Sequence, residues 1–461
     1  MTTLHQHHHH QNNCYCQQTC TKLKQLQKEN QTLKADIDRL TRALSRYQNP
    51  NTPPSMRLYK TTRQTTTTKL QNHKRYPGRP KGHQGKTRQK QKTPNTIIQP
   101  PKLTTCSCCH STNIKETHIS HYIIEEIPSR QHRQIIDYLQ ITTQCHNCNH
   151  QETNVHPDCP PNGIFGKNAQ AQTVLMKFDM RLPFDKIAEQ MQQQHGLPMS
   201  PATAFEITHR VSDDLKDEYQ NVISQVRASP VVNVDESSVK VDGVNYWLWV
   251  FVTAAYTLFV IRKSRGKKVL DEVLGSGFGG FIGCDGHRAY GCFSDRLQRC
   301  WAHLLREAED LSENYVETKT LYLGLKELFF DVVRCVEGGV PVWMSLGVRE
   351  EAEKRLLALL SNCRGFRRKK AKCFVEKIRR GFGHWFSFVV VEGLAATNNV
   401  AENALREGVV QRKIFGTLRN EKGTHIYETL LTLTTTWKQQ KLDLHNTITQ
   451  KLTEVWTKQR N

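Results

Sequence analysis

The sequence predicts a multidomain chain built around a mixed α/β core, preceded by an N-terminal coiled coil, a small zinc-ribbon-like module and a helical, helix-turn-helix-like region. Three observations carry that prediction: an apolar heptad seam near the start, two Cys-x-x-Cys pairs after residue 100, and a change from helical to strand periodicity at residue 231. With 461 residues the chain is too long for one ordinary core.

The net charge of +22 asks for a polyanionic partner. Nucleic acid fits best, because each Lys or Arg that neutralises a phosphate releases a counterion. The charge is also uneven: residues 51–100 carry twelve Lys or Arg and no Asp or Glu, and residues 364–380 add Arg367, Arg368, Lys369, Lys370, Lys372, Lys377 and Arg379 against the single acid Glu376. No apolar stretch is long enough to span a bilayer and the start lacks a signal-peptide core, so the expectation is a cytoplasmic, nucleoid-associated protein with no membrane partner. Fifteen cysteines, an odd number with several standing singly in apolar segments, read as free thiols in a reducing compartment.

Residues 1–20 form a polar, His-rich start. Over 21–47, Leu23, Leu26, Asn30, Leu33, Ile37, Leu40 and Leu44 alternate steps of three and four. Leu at each d position with one Asn at a favours a parallel two-stranded coiled coil, hence a homodimer through residues 23–44; the other reading is an amphipathic helix packed on its own domain. Asn49-Pro50 and Pro53-Pro54 stop the helix. Residues 48–100 are a basic linker without period, in which Arg75, Arg79 and Lys81 surround a Gly-Arg-Pro turn suited to a narrow minor groove, although general phosphate attraction explains them nearly as well.

In residues 101–160, Cys106-x-x-Cys109 and Cys145-x-x-Cys148 match a closed structural Zn²⁺ site, with Cys108, His110, His146 and His150 as spare ligand types and a redox pair as the other reading. Residues 161–228 read as helices. Phe184 to Met191 has helical apolar spacing and ends near Gly196; Ser200 then caps a second helix that begins at Pro201. Helix, short turn and helix is the pattern of a DNA-reading hairpin whose second helix would present Thr203, Glu206, His209 and Arg210; an ordinary helical hairpin fits the spacing equally.

From residue 229 strands dominate. The apolar run 231–234 closes at Asp235, residues 246–252 read as a strand buried on both faces, 258–261 repeats that character, a helix spans 267–274, and a fourth strand closes at Asp285. That order, β-β-β-α-β, opens a ribonuclease-H-like fold, in which the first and fourth strands are parallel neighbours. Backbones about 4.8 Å apart would bring Asp235 and Asp285 near the roughly 3.5–4 Å span of a two-metal pair. The core's first part covers 229–313, with a helix from 298 to 311; a helical insertion covers 314–396, and a catalytic helix with the tail covers 397–461. On that helix Glu402, Arg406, Val409 and Lys413 share a face, which suits a metal ligand followed by phosphate contacts; the plainer reading is an i,i+4 pair of Glu402 with Arg406.

Taken together, the heptad seam, the basic linker, the Cys-x-x-Cys pair, Asn233-Val234-Asp235-Glu236-Ser237, Tyr246-Trp247-Leu248-Trp249, Cys284-Asp285-Gly286, Arg299-Cys300-Trp301-Ala302-His303-Leu304-Leu305-Arg306 and Asn399-Val400-Ala401-Glu402-Asn403-Ala404-Leu405-Arg406 resemble transposases of the insertion sequence 66 family. The resemblance runs from Leu23 onward. It departs at Ser237, where Thr is usual, and at Glu407-Gly408, where Pro is expected. It implies an Asp-Asp-Glu enzyme of DNA transposition with Asp235, Asp285 and Glu402 holding Mg²⁺ or Mn²⁺ for two-metal phosphoryl transfer. DNA ends and target are then the partners, Arg406, Arg412 and Lys413 would neutralise phosphates, and His303 and Arg306 are second-tier candidates near the site, His303 reading more readily as a packed helix residue. Accessory proteins encoded beside the gene are a further implied partner class. A DNA-binding regulator derived from a transposase and a structure-specific nuclease remain the competing functions.

Overall fold

The computed structural model describes residue 33, residues 93–99, 103–115, 117, 119–120, 123–124 and 132–460. The zipper positions other than Leu33, and the linker residues Arg75, Arg79 and Lys81, lie outside them. The chain divides into two units, Met1–Ile123 and Ile124–Asn461.

In the first unit, residues 106–111 form a tight loop in which the Cys106 amide donates to Ser111 O (2.9 Å) and the His110 amide to Cys106 O (2.9 Å). The second unit repeats it: Cys145 N–H donates to His150 O and Asn149 N–H to Cys145 O, both at 2.8 Å. His110 and Asn149 take the same left-handed conformation, with φ of 59° and 57°. The second loop is the turn of an antiparallel hairpin, β1 (Ile141–Gln144) and β2 (Gln151–Asn154), every residue of which is exposed.

The main sheet has the order β5-β4-β3-β6-β7. β3 (Val231–Val241), β4 (Val244–Val252) and β5 (Thr257–Arg262) form an antiparallel meander turned at Asp242 and Gly243, both at positive φ. β6 (Phe281–Cys284) then lies parallel to β3, with β7 (Leu297–Arg299) parallel to β6. The first and fourth strands are therefore parallel neighbours, as expected. One boundary differs. Asp235 sits inside an eleven-residue strand, because β3 pairs with β6 only over Val231 to Asn233 and continues against β4 to Val241, where alternating burial of Val239 and Val241 sustains the strand. Likewise the expected helix from 298 begins later, since Leu297–Arg299 is recruited as an edge strand.

Helices α1 (Lys167–Phe178), α2 (Phe184–His195), α3 (Pro201–Asp214) and α4 (Lys216–Ala228) precede the sheet. The Ser200 hydroxyl accepts from the Thr203 amide at 3.0 Å and Gly196 closes α2 in the left-handed conformation, as the sequence signals required. The side chains offered to a DNA groove have other uses: Glu206 pairs with Lys422, His209 lies against Glu206 and Asp213, and Arg210 donates to Asn162 O. Ala171, Ile207, Val211, Tyr219 and Val226 share one core with the sheet.

α5 (Lys267–Leu274) crosses between β5 and β6, and α6 (Arg288–Phe293) follows β6. A second core gathers α7 (Trp301–Asn314), α8 (Lys319–Glu337), α9 (Val342–Ser361), α10 (Lys369–Arg380) and α11 (Ser387–Val390) around Trp301 and Trp385. α12 (Asn399–Phe415) then returns to β3 and β4, and α13 (Glu421–Gln439) and α14 (Leu444–Lys458) complete the first core.

Both sheet edges are closed by side chains rather than by further strands. Along β5 the amides of Thr257 and Phe259 donate to Thr436 (3.1 Å) and Thr432 (2.9 Å) of α13, and that of Ile261 to Glu428. Steps of four on a helix advance about 6 Å and steps of two on a strand about 6.7 Å, so the two ladders keep pace. Beyond β7, Gln298 and Leu297 bond to Trp385, Ser387 and Phe388. Exposed edges invite foreign strands, and both are blunted here.

Candidate active site

Asp235 lies two residues beyond the last β3–β6 pair, and Asp285 directly follows β6, so two carboxylates stand where two parallel strands part. Local bonds orient each: Asp235 Oδ1 accepts from the Glu236 amide (2.9 Å) and Asp285 Oδ1 from the His287 amide (2.7 Å). Burial pushes the Asp235 carboxyl up to about 7, and the negative charges of Glu236, Asp285 and Glu402 push the same way against the single amide bond. Three acids gathered with so little compensation form a site that a divalent cation would relieve.

Glu402 arrives on the first turn of α12. Asn398 fixes the approach: its side-chain amide donates to Val234 O at 2.8 Å, one residue before Asp235, and its backbone amide reaches Cys300 Sγ at 3.1 Å. Glu402 Oε1 lies 3.4 Å from His303 Nδ1, and both atoms are buried without an aligned hydrogen bond. The i,i+4 pair with Arg406 anticipated as the plain alternative is not among the ion pairs of the described residues. Hydrogen bonding to Cys300 raises the His303 imidazole, while the Cys300 thiol, pushed up by burial, is brought down overall by bonds from His303 and Asn398.

Among the described residues, three metal-ligating side chains bring their ligand atoms within 4.8 Å of one another at Cys300, His303 and Glu402. The three acids do not close into so tight a group, although Asp235 senses the charges of the other two. The buried acceptors Asn233 Oδ1, Asn398 Oδ1 and Glu402 Oε1 are likewise unpartnered. Such orphans are costly in a finished core, and oxygen donors around carboxylates suit a hard cation.

The proposed phosphate residues divide. Arg406 and Lys413 are exposed. Arg412 instead donates to Ser237 Oγ at 3.0 Å and to Ser238 O, tying α12 to β3. Glu407 forms a two-pronged pair with Arg181 at 2.7 Å, and a β-carbon on Gly408 would come 2.4 Å from Leu248 Cδ2. The departure at Glu407-Gly408 therefore has structural uses: Glu407 anchors the helix and Gly408 lets it lie close on β4.

The match to known families now has a place in the fold. Residues 162–426, more than half of the chain, match the family described as Transposase IS66 family. This chain belongs to that family. The matched span takes in Asp235, Asp285 and Glu402 and begins after both Cys-x-x-Cys loops. Among curated proteins, the uncharacterized protein y4hP of Sinorhizobium fredii (strain NBRC 101917 / NGR234) is 21% identical over 396 residues, covering 75% of this chain and 69% of that protein.

For an IS66 family member one further group at the site is conspicuous and was missed in the sequence. The Glu236 side chain is fully buried on the opposite face of β3 from Asp235, where it accepts from Arg265 Nε (2.8 Å) and from the Tyr290 hydroxyl. Arg265 also stacks on Trp247, 4.6 Å from its ring centre. Tyr290 belongs to α6, which follows Asp285, so Glu236 ties the strand bearing one aspartate to the segment leaving the other. The Asp-Glu dipeptide was a signal for Glu236. Arg265 and Tyr290 have no motif that announces them.

The two cysteine loops share a backbone arrangement around sulfur. Amide bonds from Cys109 and Cys108 lower the Cys106 thiol, and those from Cys148 and Asn147 lower the Cys145 thiol. Amides aimed at sulfur favour the thiolate, the form that binds Zn²⁺. The hairpin around Cys145 has no buried residue to hold its two strands, and a bare hairpin is marginal in water.

Proposed function

We propose that this chain is a DNA transposase that binds the ends of a prokaryotic insertion sequence and catalyses metal-dependent cleavage and strand transfer. The observation that carries the reading is geometric: Asp235 and Asp285 stand where β3 and β6 part, and Asn398, bonded to Val234 O, brings the first turn of α12 and with it Glu402 to the same strand. The strand order β5-β4-β3-β6-β7, with a parallel β3–β6 pair, supports a ribonuclease-H-like core.

In this reading the three carboxylates hold Mg²⁺ or Mn²⁺. Ions bound there would stabilise charge on the attacking and leaving oxygens of the scissile phosphodiester. The protein's own contribution is position. Asn398 sets the start of α12 against β3, His303 stands beside the Glu402 carboxylate, and the Glu236 clamp ties the two aspartate-bearing segments together. Arg406 and Lys413, exposed on α12, would meet the phosphate backbone. Cys106, Cys109, Cys145 and Cys148 would serve as thiolate ligands of structural Zn²⁺, as their Cys-x-x-Cys spacing suggests. Residues 23–44 would pair two copies so that two DNA ends are held together.

The test is Mg²⁺-dependent cleavage of duplex DNA taken from the border of the gene. Asp235→Ala should abolish cleavage and retain binding; unchanged cleavage would sink the enzymatic reading. Joined products restricted to border DNA separate a transposase from a nuclease, which would cut scrambled duplex equally and join neither.

A further inference from the structure

We propose that α10, the basic helix of the insertion, is a docking rail for duplex DNA beside the catalytic end of the sheet; the inference rests on the transposase reading and adds to it a specific DNA-contacting surface.

α10 is amphipathic in an unusual way. Ala371, Phe374, Val375 and Ile378 are buried, the last three in the second core, while Lys369, Lys370, Lys372 and Arg380 are exposed. Like charges so close on one helix repel, and Glu376 is the only acid within residues 364–380. Among the described residues Lys369, Lys370 and Lys372 have no ion-pair partner, and Arg380 has only a distant one, Glu376 at 3.9 Å.

A solvated basic face could sit anywhere on the molecule. This one is fixed at the ends of β6 and β7, the first of which leads directly into Asp285. Lys377, paired with Glu307 of α7 at 2.5 Å, lays its stem over Gly286: a β-carbon built there would stand 3.2 Å from Lys377 Cε. Gly286 directly follows Asp285. At the far end of α10, Gly381 packs on Arg299, whose guanidinium would be 2.6 Å from a β-carbon at that position. Arg299 ends β7 as Cys284 ends β6, so the C-terminal turn of α10 lies against the ends of both strands.

Lys369, Lys370, Lys372 and Arg380 spread over the exposed half of α10, away from buried Phe374, Val375 and Ile378. Twelve residues span about 18 Å, the rise of about five nucleotides at 3.4 Å each. A duplex whose scissile phosphate lies at Asp285 would therefore run its neighbouring phosphates past this face.

The experiment uses the full chain and measures how affinity for duplex DNA varies with salt. Lys370→Gln, Lys372→Gln and Arg380→Gln are combined in one variant; the control removes three equally exposed charges elsewhere, Lys216→Gln, Lys441→Gln and Lys458→Gln. Each phosphate contact contributes about 0.9 to the slope of log K against log salt, so the α10 variant should lose about 2–3 from the slope and the control none. Equal slopes in the two variants, or a wild-type slope in the α10 variant, overturn the proposal. Two duplexes are compared, border DNA and a scrambled sequence of equal length. A loss on both assigns the rail to flanking or target duplex, and a loss on border DNA alone assigns it to the element end. Asp235→Asn serves as the separating control: continued cleavage by that variant would refute the catalytic reading, while the α10 slopes would still decide the rail.

Discussion

Asp235 and Glu236 are consecutive acids on one strand, and the two faces of β3 treat them in opposite ways. Glu236 is withdrawn from water and met by a guanidinium and a phenol, so its charge is matched where it lies. Asp235 is half-buried, has one backbone amide for a partner, and faces the charges of two more acids. A buried carboxylate with its bonds satisfied holds the fold together. One left short among like charges has not been neutralised by the fold, and such groups concentrate at functional sites.

The largest expected effect is on the unsatisfied face. Asp285→Ala and Glu402→Ala should each lower Mg²⁺-dependent cleavage by about 10³-fold or more, since several kcal/mol of charge stabilisation would be lost, while thermal melting stays near that of the parent. A variant that melts much earlier would place that acid with Glu236 instead. On the satisfied face, Glu236→Ala should cost about 2–4 kcal/mol in urea unfolding by stranding Arg265 and Tyr290. Stability left unchanged while cleavage fails would erase the contrast between the two faces.

Acidity gives a finer test. Between pH 3.8 and about 7 the unfolded chain releases the Asp235 proton while the native chain keeps it, so this group's contribution to stability falls as pH rises through that window. Asp235→Asn removes the penalty. In chelator-containing buffer the variant should be more stable than the parent by about 1–3 kcal/mol at pH 8 and equal to it near pH 3.5. Equal melting at both pH values would mean the carboxyl is not raised. The smallest effect concerns the far edge of the sheet, where Thr432→Val should cost about 1 kcal/mol by unpairing the Phe259 amide, with cleavage unaffected.

Much of the candidate site could be read along the chain because its parts obey local rules. Asp285 was legible as the end of an apolar strand, α3 from Ser200 and Pro201, and the neighbouring strands from the element order. The boundary at Asp235 was missed because an apolar run marks burial, whereas the length of a strand is set by its partner; β4 carries β3 on to Val241. Arg412 was read as a phosphate ligand from its charge, yet β3 offers it Ser237 and Ser238 O. His303, read beforehand as either a packed residue or a site residue, lies against Glu402.

By itself the sequence determined the acid residues, the cysteine loops, the helix caps and the basic run of α10, since each depends on residue type and short spacing. Only the tertiary structure decided that Asn398 ties α12 to β3, that Glu236 is clamped from Arg265 and Tyr290, and that α10 lies over Gly286. Those contacts join residues 29 to 164 positions apart, and Lys377 to Gly286 across the whole of α7, α8 and α9. No local period encodes such separations; they are fixed when the two cores pack and the sheet brings its strand ends together.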